Sequence, residues 1–135
     1  MASEAVLVYE TELPIPFTCA DNTGIEKGAI LKMTDPMTAA LADGYGYIIA
    51  GIAAEEKIAD DGKTTIAVYR RGIFKVLAGA AGIAVGVALD THASTGATNE
   101  VAPAPAGASQ ILGIALETAA DTETFLMELA PTHQT

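Results

Sequence analysis

Histidine and cysteine, the side chains that most often carry catalysis or bind metals, are scarce in this chain of 135 residues. His92, His133 and Cys19 are the only ones, and none has a second ligand at metal-binding spacing. Cys19 has no histidine near it in the sequence to serve as a base. We therefore predict that Cys19 is a buried or half-buried small apolar residue, that His92 lies in a surface turn, and that the protein holds neither a metal nor another cofactor.

Like-charged residues stand side by side at Glu55-Glu56, Asp60-Asp61 and Arg70-Arg71. Two carboxylates could act as a general acid and base or bind calcium, but the alternating Asp spacing of a calcium loop is missing. A solvated hairpin is the simpler interpretation of the acidic pairs. Arg70 and Arg71 could face an acidic patch on a partner or merely balance nearby charge, and the sequence leaves both alternatives open.

The composition is acidic and apolar, with a net charge of −10, a pI near 4.3 and 50% hydrophobic residues. That much apolar surface excludes a disordered chain. The negative charge argues against binding to nucleic acid or to an anionic membrane, since both repel it. A single cysteine cannot form an internal disulfide, and no basic residue precedes Lys27 as a secretory signal would require. These features predict a soluble protein made for a reducing cytosol.

Short apolar runs separated by Gly, Pro, Asp, Asn and Thr predict an all-β fold, either a small sandwich or a barrel. The predicted strands cover 5–9, 14–19, 29–33, 47–54, 64–70, 72–77, 83–89, 110–117 and 124–129. Asp-Gly within 60–63 predicts a hairpin turn. Met37 to Ala42 is rich in alanine and predicts one or two turns of helix, whereas Ser94 to Gly107 has no periodicity and predicts a long surface loop.

Two pairs of similar segments indicate an internal duplication. Residues 24–31 and 82–89 share the pattern G-I-x-x-G-x-x-L, and residues 51–55 and 113–117 share G-I-A-x-E. The offsets of 58 and 62 residues preserve both the order and the rough spacing. We therefore predict two similar halves, over 24–76 and 82–129, that together cover an apolar core.

The first 17 residues are predicted to form an extended N-terminal arm, followed by a single domain over 18–131 and a short tail over 132–135. Two prolines fix an extended backbone there and remove two hydrogen-bond donors, which suits a segment that lies along a partner. An ordinary first strand of the domain is the alternative. The candidate interface residues are Val6, Val8, Leu13, Pro14, Ile15, Pro16, Phe17, Arg70 and Arg71.

The order of these segments resembles the small capsid decoration (cement) proteins of tailed bacteriophages. The segments are Pro16-Phe17-Thr18 leading into 25–32, then 72–76 with an alanine-rich stretch and 82–86, and finally 113–117 with a strand ending in Glu-Leu. The resemblance implies a β-rich protein on the outer surface of the virion that stabilises the shell. It also implies synthesis in the host cytoplasm, contact with the major capsid protein, a homo-oligomer with a trimer favoured, and no catalytic motif.

Two other functions are compatible with parts of the sequence. A biotinyl or lipoyl carrier module is also built from two similar β halves, and Lys63 follows Asp-Gly where a modified lysine would stand, although the sequence around that lysine differs. A secreted carbohydrate-binding β-domain would use aromatic platforms, and the chain has no tryptophan. No nucleophile, metal cluster or cofactor loop favours an enzyme.

Overall fold

The computed structural model describes residues 4–43, 46–79, 82–91, 99–105 and 110–133. These residues contain no helix, so the prediction of an all-β fold is confirmed. The strands are β1 (Val6–Tyr9), β2 (Ile15–Thr18), β3 (Ile30–Asp35), β4 (Thr38–Leu41), β5 (Ile49–Ala53), β6 (Thr65–Tyr69), β7 (Gly72–Ala78), β8 (Ala88–Thr91), β9 (Glu100–Pro103), β10 (Gln110–Ala115) and β11 (Thr124–His133). Nothing in the described ranges is a helix that could span a bilayer.

The strands form two closed barrels of five strands each. The first barrel closes in the order β2-β4-β3-β5-β6, and the second closes in the order β7-β9-β8-β10-β11. In both barrels the first and third strands of the unit pair in parallel, and the other neighbours are antiparallel. The two halves therefore share one topology, and the structure decides for closed barrels over a sandwich.

The duplication extends to individual backbone hydrogen bonds. The amide of Gly28 donates to the carbonyl of Ala53 at 2.8 Å, and Gly86 donates to Ala115 at the same distance. Both glycines have a positive φ, of 91° and 85°, which L-residues rarely adopt. Isolated bridges join Ile25 to Lys57 and Ile83 to Ala119 at matching positions. The similar segments seen in the sequence therefore build the same turn in each barrel.

Apolar side chains fill the inside of each barrel. Ten buried residues line the first barrel, among them Phe17, Leu31 and Ile66, and their counterparts in the second barrel include Leu89 and Phe125. Buried side chains on the outside of the first barrel join the core of the second barrel, so the two barrels pack into one body. Cys19 is buried inside the first barrel, as predicted, and this burial raises the pKa of its thiol.

The predicted helix over 37–42 is wrong, because this segment contains β4. Ala39 points into the first barrel, and β4 pairs with β3 along its length and with Thr18 of β2. The helical propensity of alanine is worth a few tenths of a kcal/mol per residue, which barrel closure overrides. The predicted loop over 94–107 likewise contains a strand, β9, whose Val101 is fully buried. Residues 92–98 and 106–109, including His92, lie outside the described residues.

The boundaries of the halves also differ from the prediction. The first unit runs from β2 to β6, so it begins at Ile15 and ends at Tyr69, and residues 72–76 belong to the second unit. The strand predicted over 83–89 begins later, because residues 82–87 form a turn and β8 follows it. The predicted tail is partly strand, because β11 continues to His133 and pairs there with Gln110.

Candidate functional site

The N-terminal segment spans both barrels. The amide of Ala5 donates to the carbonyl of Gly28 in the first barrel at 2.9 Å. The next residues form β1, which pairs with β7 and so adds an edge strand to the second barrel, and the chain then returns to the first barrel as β2. The Tyr69 hydroxyl donates to Glu10 at 2.9 Å on the way. The segment is extended, but it lies along its own chain and links the two halves.

Most of the predicted interface residues in this segment present apolar surface to solvent. Val6 is 60% exposed, Val8 42%, Leu13 76% and Ile15 40%, and we call these four residues the N-terminal patch. Pro16 is exposed and Pro14 half-buried. Phe17 is the exception: it is 2% exposed and packs inside the first barrel, so it belongs to the core and not to an interface.

The two predicted arginines have different roles. The guanidinium of Arg70 donates through Nη1 to the carbonyls of Ile49 and Ala50, at 2.8 and 2.9 Å. Arg70 therefore holds the start of β5, and burial lowers its pKa. Arg71 is exposed and makes no ion pair among the described residues. Of the pair, Arg71 is the side chain that is free to meet a partner.

A second apolar surface covers the outside of the second barrel, and the sequence analysis did not find it. Register places Leu126 beside Lys75, Ile114 beside Glu128 and Glu128 beside Ile73, all pointing outward. We call the following six residues the open face: Ile73, Lys75, Ile114, Leu116, Leu126 and Glu128. Alternation along each strand indicated that some side chains point outward, but only the pairing register shows that they adjoin.

Among the described residues, few side chains are arranged in a way that could support catalysis or metal binding. The described residues contain no cluster of three or more His, Cys, Asp or Glu side chains that could hold a metal ion. The acidic pairs have structural partners: Glu55 accepts from the amide of Ala67 at 3.3 Å, and Asp61 accepts from Lys57 at 2.7 Å. The surfaces that stand out are therefore apolar surfaces suited to macromolecular contact.

The sequence matches the family model described as phage cement protein over residues 9–129, which is most of the chain. The chain belongs to the phage cement protein family. This confirms the resemblance drawn from the order of the strands and glycines. Membership identifies a structural protein of the virion that stabilises the capsid, and it favours this function over a carrier module modified at Lys63.

Among solved structures, the fold is similar to the N base of the head fiber gp8.5 of bacteriophage phi29. The TM-score is 0.55 at 19% sequence identity, and the match covers 90% of this chain and 98% of that one. At this identity the likeness establishes a shared fold. No curated protein matches the sequence.

One buried charge distinguishes the first barrel of this cement protein from the second. The Lys57 ammonium donates to the carboxylates of Asp21 and Asp61 at 2.9 and 2.7 Å, and to the carbonyls of Asp21 and Ile58. Its side chain is 1% exposed. Burial alone lowers the pKa of Lys57, but the hydrogen bonds to Asp61 and Asp21 together raise it above its usual value. The corresponding residue of the second barrel is Ala119.

We call Lys57 with its partners Asp21, Ile58 and Asp61 the lysine cage. We expect the lysine cage to stabilise the fold less in acid. The hydrogen bond from Lys57 is the main cause that lowers the pKa of Asp61 to about 2, from 3.8. A carboxylate with a depressed pKa in the folded state stabilises the protein above its unfolded pKa, and this contribution disappears as pH falls from about 4 to about 2. Thermal unfolding of wild type and Asp61→Asn should therefore differ at pH 7 and converge near pH 2. A difference that persists unchanged at pH 2 would assign the effect to something other than ionised Asp61.

Proposed function

We propose that the chain binds the outer surface of an assembled phage capsid through its N-terminal patch and contacts the major capsid protein there. The observation that carries this proposal is the exposure of four apolar side chains on the segment that links both barrels. Burying them against a partner would release water from a surface that a lone domain leaves uncovered. No catalysis and no cofactor enter this function.

The charge of the chain supports a position outside the shell. Packaged DNA fills the interior with negative charge, which repels a protein of net charge −10. An acidic coat also keeps particles from associating with one another. We place the protein on the outer surface of the virion after synthesis in the host cytoplasm, where it meets neither nucleic acid nor membrane.

On a capsid lattice, many weak contacts between identical copies can together give strong binding. We propose that the chain acts as a homo-oligomer, with a trimer favoured, because one oligomer could then bridge several capsid subunits. Linked binding sites gain effective concentration without any new contact, so modest patches can stabilise a pressurised shell. Each bound copy adds to the stability of the shell by mass action.

Purified shells that lack the protein provide the test. Wild type should co-sediment with them at a fixed stoichiometry and raise their disruption temperature. Leu13→Glu, which places a charge in the N-terminal patch, should weaken binding about tenfold or more. Ile58→Glu is the matched control, since Ile58 is similarly exposed at 63% but lies in the β5–β6 connection. Shells that are unaffected by saturating wild type, or equal binding by both variants, would contradict the proposal.

A further inference from the structure

The strand β1 has a neighbouring strand on only one of its two sides. Within the described ranges it pairs with β7 alone and stands at the edge of its sheet. The amide of Ala5, immediately before β1, points to the other side and donates to the carbonyl of Gly28 at 2.9 Å. Backbone groups of successive residues in a strand point alternately to its two sides. The amide and carbonyl of Leu7 therefore point away from β7, and no described backbone or side chain bonds to them there.

A groove of about 430 Å³ follows this free side of β1. Its lining combines the N-terminal segment with two residues of the first barrel: Glu4, Ala5, Val6, Leu7, Lys27 and Tyr69. Because the opposite wall comes from the first barrel and not from β7, the groove lies where Leu7 has no strand partner. The Tyr69 hydroxyl bonds to Glu10 and the Ala5 amide to Gly28, so contacts before and after Leu7 hold β1 against the first barrel. The groove is thus preformed, and its volume is typical of ligand pockets, roughly 300–1,000 Å³.

The groove also holds a cation without a partner. Lys27 is exposed, and in the part of the chain that the structure describes it makes no ion pair or side-chain hydrogen bond. The other charged residue of the lining, Glu4, has a partner in Glu26. The remaining lining residues are apolar or aromatic. A groove with one unpaired cation and a free strand edge is complementary to a partner that brings apolar side chains and a carboxylate.

We propose that an extended segment of the major capsid protein occupies this groove, pairs with the backbone of Leu7 and places a carboxylate near Lys27. An extended segment supplies the backbone donor and acceptor that a free strand edge lacks, and its alternate side chains can then contact Val6. A flat partner surface would cover Val6 but would leave the edge of β1 unpaired. The inference rests on the proposed function, because Val6 belongs to the N-terminal patch, and it identifies the conformation and charge of the capsid region that binds there.

Hydrogen exchange of single amides in the free protein tests whether the edge is open. After correction for intrinsic rates, the Leu7 amide should exchange about tenfold or more faster than the Val6 amide, which alternation directs to β7. On shells saturated with the protein, exchange at Leu7 should slow about tenfold or more, because the added segment accepts its hydrogen bond. Equal protection of the two amides in the free protein, or unchanged exchange at Leu7 on shells, would overturn the proposal.

A charge reversal tests the chemistry of the occupant. Lys27→Glu should raise the dissociation constant for shells about tenfold or more, whereas Lys27→Arg should bind like wild type. Lys63→Glu is the matched control, since Lys63 is 50% exposed in the β5–β6 connection and the change in net charge is the same. Equal binding by Lys27→Glu and Lys63→Glu would overturn this inference alone, provided that wild type binds and Leu13→Glu weakens binding. Wild type that does not bind shells would instead contradict the proposed function itself.

Discussion

Gly113→Ala is expected to destabilise the second barrel by about 3 kcal/mol or more, the largest effect that we predict for a single methyl group. Gly113 lies in β10 with an ordinary φ, but a methyl group on its Cα would overlap the carbonyl oxygen of Glu128 on β11. The obstacle is backbone and cannot rotate away. The two strands would have to separate, and β11 pairs with both β10 and β7 in the barrel. Thermal unfolding should show a fall in Tm of roughly 10 °C.

Gly86→Ala is the matched control because it isolates the other reason for a glycine in these repeats, a positive φ. Gly86 has a φ of 85°, and a Cβ there would meet nothing within 4 Å. Its substitution should cost only the strain of a left-handed backbone, about 1 kcal/mol. If Gly86→Ala unfolds the protein as readily as Gly113→Ala does, close strand approach is not what requires Gly113.

The repeated glycines explain why so much of the fold could be predicted. G-I-x-x-G-x-x-L fixes the turn before the second strand of each unit, and G-I-A-x-E fixes the close approach of two strands; both are local and specific requirements. In the structure, Gly51 and Gly113 both face a carbonyl oxygen of the neighbouring strand. Both requirements disfavour any residue with a side chain, so the glycines mark the same positions in the two halves.

The strands that were missed are the ones whose sequence carries little signal. β4 is Thr-Ala-Ala-Leu and β9 is Glu-Val-Ala-Pro, and each is four residues long. They are the third strands of their units and close the barrels by parallel pairing. Such pairing is non-local and depends on the rest of the barrel, so neither propensity nor alternation over four residues can reveal it.

Of the two candidate surfaces, the sequence could predict the N-terminal patch but not the open face. The N-terminal patch comes from one short segment of the chain, so its mixture of apolar residues with the neighbouring Pro14 and Pro16 could be recognised directly. Phe17 was predicted to lie at the interface, although it shares its strand face with Cys19, and alternation from that buried residue would have placed it in the core. The open face draws its residues from β7, β10, β11 and the turn after β10, and only the strand register brings Ile114 beside Glu128.

Lys57→Met is expected to lower Tm by about 5–10 °C, the second large effect. The substitution keeps an unbranched side chain one atom shorter but removes a charge with four oxygen acceptors, which would leave the carboxylates of Asp21 and Asp61 close together without a cation. These two residues belong to the β2–β3 and β5–β6 connections, so the lysine joins two loops at one end of the first barrel. Differential scanning calorimetry at pH 7 would measure the loss.

Lys63→Met is the control because Lys63 pairs with Glu55 at 3.5 Å on the surface, where ion pairs contribute little. Its Tm should stay within about 2 °C of wild type. The second barrel closes with Ala119 at the position of Lys57, so the cage is not needed to form the fold. If the Tm of Lys57→Met matched that of wild type, the apolar packing shared by both barrels would be sufficient to stabilise the first barrel. A loss confined to Lys57→Met would mean that the first barrel has come to depend on a charge that its duplicate lacks, because its acidic loops repel each other without it.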